Sequence, residues 1–138
     1  MAHRSTLPRF LLILPLLAAL GCQSVDRQEL TWQTLHAVDV AQTLNAASDP
    51  CYRENAWLTK QIIGSQPSDA EVMAWGVGTA LVHMWIANAL ERRNAPRWLQ
   101  ATWSLGTIGS TGYTVVDNHQ NGVRPWGNNL DHENCHVR

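Results

Sequence analysis

Apolar and polar positions fall into blocks along this chain. Two charge-free segments stand out, VMAWGVGTALVHMWIANAL (72–90) and WLQATWSLGTIGSTGYTVV (98–116). Between them runs ERRNAPR, with Arg92, Arg93 and Arg97 against Glu91. At ~1.5 Å per residue each segment makes about 28 Å of helix, close to a hydrocarbon core of roughly 30 Å. The pattern predicts a helical hairpin with a basic tip, over about 69–92 and 97–117. Ser68 and Glu71 have the spacing of a capping box, which marks its start. Asn94-Ala95-Pro96 makes its turn.

Upstream, Leu30, Leu35, Val38, Ala41 and Leu44 lay an apolar stripe along a helix from Glu29 to Ala47. Ser48-Asp49-Pro50 ends it, because proline cannot continue a helix and restricts the residue before it. The connection over 51–68 holds a short helix at 56–63, with Gly64 suited to its C-cap. The tail over 119–138 has no period and reads as irregular or disordered. The expected fold is therefore all-α: a three-helix domain with a hairpin, followed by that tail.

Small residues recur every fourth place in the hairpin: Ala74/Gly78, Gly76/Ala80 and Thr102/Gly106/Ser110. Such spacing lets two membrane helices approach closely. Trp75 and Trp98 fall where an interface would lie. The second segment carries Gln100 and several hydroxyls, so it inserts only alongside its neighbour. A soluble three-helix bundle is the alternative, since small residues and tryptophan pack soluble cores as well.

The N-terminus has a basic region, Arg4 and Arg9, then the apolar run FLLILPLLAAL, ending in Ala19-Leu20-Gly21-Cys22. This reads as a signal peptide over 1–21. The end of the run resembles the lipobox of bacterial lipoproteins, although Ala19 departs from the usual leucine. The resemblance implies cleavage before Cys22 and acylation of its thiol, with a tether over 22–28 and the helical domain over 29–118. Ordinary cleavage and an uncleaved anchor are the alternatives. Export of Cys22 would put the 29–47 helix outside the cytoplasm and the arginine tip inside, as the positive-inside tendency asks. A spanning hairpin favours the inner membrane. Gln23, in place of a retaining aspartate, favours the outer membrane.

Charge changes this picture little. The formal charge is −1, or −3 once Arg4 and Arg9 are removed. That excludes the basic field that nucleic-acid binding needs. Seven tryptophans against one phenylalanine suit a protein with interfacial anchors. With Cys22 acylated, Cys51 and Cys135 remain as a disulfide pair in an oxidising compartment, or as two free thiols.

Candidate chemistry is sparse. Asp39, Gln42 and Thr43 form D-x-x-Q-T on one helix. Glu54-Asn55 follows, then Gly64-Ser65-Gln66-Pro67-Ser68. This order resembles small helical bacterial membrane proteins of unknown function, with Ala56 where that pattern has proline. The resemblance covers about 30–118 and implies a short helical membrane domain with no known activity. Asp39, Thr43, Glu54, Asn55 and His83 are the candidate functional polar residues, since ionisable groups within membrane segments are costly. His83 is placed to bond across to Thr107 or Ser104. Capping and structural hydrogen bonds are the plainer roles for all five. In the tail, the H-x-x-C-H spacing of His132, Cys135 and His136 matches no strong zinc pattern, and no metal or cofactor is expected. No serine elbow, His-Glu-x-x-His or phosphate loop is present. The expected function is that of a non-enzymatic, membrane-associated envelope lipoprotein with a structural or interaction role. Its partners would be the bilayer and other envelope proteins. The alternative is a membrane-embedded binding or transport accessory that uses the intrahelical polar groups.

Overall fold

A computed structural model describes residues 26–54 and 56–127. Among them the fold is all-α, with four helices and no strand. Helix α1 (Arg27–Ala47) starts at Asp26, whose side chain accepts from the Gln28 amide. Glu29 in its first turn complements the helix dipole. Helix α2 (Trp57–Ile63) is the short connecting helix. It ends at Gly64, which takes φ 84, a conformation glycine adopts without a Cβ penalty. Helix α3 (Asp69–Arg92) begins with the expected capping box, in which Ser68 and Glu71 satisfy one another's backbone amides. Helix α4 (Arg97–Gln120) runs three residues past the expected end and takes in Asn118, His119 and Gln120. The tip turns at Asn94, with φ 50, and the Ala95 amide reaches back to the Leu90 carbonyl.

The arrangement of the helices differs from a simple hairpin. The two legs, α3 and α4, touch each other far less than either touches α1. Helix α1 lies in the groove between them. It runs parallel to α4: Trp32 bonds Thr111, Asp39 bonds Asn118 and Asn45 bonds the Arg124 carbonyl, all at a constant offset of 79 positions. It runs antiparallel to α3: Gln33 donates to the Ala80 carbonyl, and His36 meets the Gly76 carbonyl at 2.9 Å. The 29–47 helix is thus a full member of the bundle, although its own pattern gave no sign of where it docks.

The small residues divide accordingly. A Cβ on Gly76 would stand 2.7 Å from Val40 Cγ2, so this glycine admits α1. Gly78 and Gly106 face open space, and no neighbour lies within 4 Å of a Cβ built there. The expected α3–α4 seam of small residues is therefore not formed. Close approach is used once, between α1 and α3. Trp75 also differs from expectation: it is half-buried and packs against a core cluster of Ala47, Ile63 and Val72. Trp98 is exposed.

The apolar core is small and lies at the end of the bundle away from the tip. A second cluster there joins Ala46, Tyr52 and Val123. Helix α3 is long and apolar enough to cross a membrane, and among the described helices it alone meets that test.

Candidate functional site

Polar side chains fill the interior, in two groups. The first lies beside the middle of the hairpin. Rings from α1, α3 and α4 form a column in the order His36, Trp32, His83, Trp103. Successive centroids are 4.7, 3.6 and 4.8 Å apart. Each of the first three rings has a polar partner. His36 Nε2 lies against the Gly76 carbonyl, so it donates there. Trp32 Nε1 donates to Thr111 Oγ1 at 3.0 Å. His83 Nδ1 lies 2.9 Å from a Glu29 carboxylate oxygen, and Nε2 lies 3.0 Å from Thr107 Oγ1. Gln33 donates to Glu29 at 2.7 Å and holds that carboxylate in place. Trp103 Nε1 is buried with no partner among the described residues.

The second group lies one to three turns along α1, beneath the connection that leads to α2. Asp39 Oδ1 accepts from Asn118 Nδ2 at 2.9 Å. Gln42, 1% exposed, donates to the carbonyls of Val115 and Val123. The Tyr52 hydroxyl donates to Glu54 Oε2 at 2.9 Å, and Thr43 lies within hydrogen-bonding reach of the same hydroxyl. Glu54 Oε1 accepts the Ala56 amide. Burial, with Glu54 second, pushes the Tyr52 hydroxyl well above its usual range.

Of the residues singled out in the sequence, Asp39, Thr43 and Glu54 come together in this second group. His83 is in the first, and its expected bond to Thr107 is present. Asn55, Cys22 and Cys135 lie outside the described residues, as do His132 and His136. Cys51 is held in a disulfide. Among the described residues, no group of three His, Cys, Asp or Glu side chains could hold a metal ion.

The sequence pointed to neither Glu29 as the partner of His83 nor Trp32 and Trp103 as its stacking faces. Glu29 and His83 are 54 positions apart, and spacing carries no signal at that range. The one available hint was Trp32, the single aromatic residue of α1 apart from His36.

Both groups are largely closed on themselves. Their donors and acceptors meet one another rather than converging on a shared empty position. An apolar cavity of about 290 Å³ lies beside the second group, lined by Val38, Val115, Val116 and Trp126, with Gln42 and His119 at its polar edges. The chain was compared with protein-family models, curated proteins and solved structures, and it matches none of them.

The exterior is the converse of the interior. The large exposed side chains include Leu30, Leu81, Val82, Trp85, Leu105 and Tyr113. On α3 no charge occurs between Glu71 and Glu91, and on α4 none between Arg97 and Asp117. The ionisable groups of α1 within its helical body, Glu29, His36 and Asp39, turn inward to polar partners.

Proposed function

We propose that this protein is a small helical component of a cell-envelope membrane, with its hairpin spanning the bilayer and a structural or interaction role there. One observation carries the reading: the bundle buries polar and ionisable side chains and exposes tryptophan, leucine and valine. In water that distribution is unfavourable on both counts. In a bilayer the apolar exterior is solvated by lipid, and the inward hydrogen bonds hold the helices together. The closure of the polar groups on one another favours a structural role over an open binding or transport site.

Direction follows from the register. Asp26 is at the end of α1 that faces the tip, since Glu29 meets His83 partway along the hairpin. The chain therefore enters α1 from the tip side. Cys51, with its disulfide, is at the other end. A disulfide belongs on the oxidising side and an arginine tip in the cytoplasm. Both are met if the hairpin spans and the N-terminal segment stays uncleaved in the cytoplasm. Acylation of Cys22 outside the cytoplasm fits a second reading, favoured by its lipobox, in which the bundle rests on the outer face without crossing. Intact mass and carbonate extraction of the unmodified chain beside Cys22→Ser separate the two. The spanning reading expects both to keep the unacylated full-length mass and to stay in the pellet. An unmodified chain that is cleaved and acylated, against a full-length unacylated precursor from Cys22→Ser, would overturn it in favour of the lipoprotein.

A further inference from the structure

We infer that the hairpin tip is a docking surface for anionic lipid headgroups, and this rests on the membrane-spanning reading. Arg92, Arg93 and Arg97 are all exposed, and among the described residues none of them is ion-paired. Glu91 is the opposing charge on the last turn of α3. The turn that separates them is short and closed by backbone bonds from Arg93, Asn94 and Ala95 to Ala89, Glu91 and Leu90. The three guanidinium-bearing residues are thus tethered to two helix ends within six positions.

Three further features point to a phosphate at the membrane surface. Pro96 offers no side-chain acceptor to the first amides of α4, so the positive end of that helix dipole adds to the arginines. Trp98 follows directly and is 69% exposed, in the position of an interfacial anchor. The charge-free exterior of both helices begins at this boundary, so the arginines sit where headgroups lie. Guanidinium pairs with phosphate through forked hydrogen bonds, whereas a neutral zwitterionic surface offers less net attraction.

The arginines are also trypsin sites, which allows a test on the unmodified full-length protein. It would be placed in nanodiscs of phosphatidylcholine, alone or with about one-third phosphatidylglycerol. Cleavage at Arg92, Arg93 and Arg97 would be followed by mass spectrometry, with cleavage at Lys60 as the reference. Seating in anionic headgroups should slow tip cleavage at least about tenfold relative to Lys60, and about 0.5 M salt should restore it. Arg93→Gln should reduce the lipid effect on the remaining sites by roughly fivefold. Equal tip cleavage in the two lipids would overturn the proposal while leaving the membrane reading intact. Equal protection by free phosphate in pure phosphatidylcholine would overturn it in favour of a soluble anion. Failure of the protein to enter nanodiscs of either composition would end both readings.

Discussion

The His83 ring is held on both edges and both faces. His83→Leu should destabilise by about 2–4 kcal/mol, since it leaves the Glu29 carboxylate with Gln33 as its remaining donor and removes two stacking contacts. Combining it with Glu29→Gln should cost less than the sum of the two changes, by about 1–3 kcal/mol. Additive losses in a double-mutant cycle would show that the 2.9 Å contact contributes nothing.

At the scale of elements, the glycines separate the observed packing from the expected one. Gly76→Ala places a methyl against Val40 and should lower the melting temperature, at a cost of about 1–3 kcal/mol. Gly78→Ala meets nothing and should raise stability by up to about 1 kcal/mol, through helix propensity alone. The reverse order would restore the α3–α4 seam that the sequence suggests. Element boundaries were legible because they depend on neighbours in sequence: the Ser68 capping box, the proline after Asp49 and the Gly64 cap. Which helix faces which was not legible. Small residues every fourth place mark a face that can approach closely, but they do not name the partner. Here Gly76 uses that face for α1, while Gly78 and Gly106 are left outward.

For the whole molecule, the decisive feature is the register of α1 within the hairpin. On the proposed reading it carries the chain from the side that holds the tip to the side that holds the Cys51 disulfide. On the proposed reading, lipidation of Cys22 and a spanning hairpin are alternatives, because the chain enters α1 from the tip side and the Cys51 disulfide lies at the other end. If Cys51 pairs with Cys135, non-reducing digestion should yield one linked peptide pair, and Cys51→Ser should release it. A pair joining Cys51 to Cys22 would overturn the proposed sidedness, which keeps the N-terminal segment in the cytoplasm.

The hairpin with its basic tip, which dominates the pattern of the chain, keeps its boundaries and its composition in the structure. Its legs, however, are held together chiefly by a third helix rather than by each other. Sequence alone determined the helices, their caps and the charge-free spans, because these follow from local propensity and from which residues water or lipid will tolerate. It also supplied Asp39, Thr43, Glu54 and His83 as inward candidates. Only the tertiary structure decided that α1 fills the groove, that Glu29 and two tryptophans enclose His83, and that Tyr52 links Thr43 to Glu54. Those contacts join residues far apart along the chain. Their formation depends on the packing of whole helices, which no local pattern encodes.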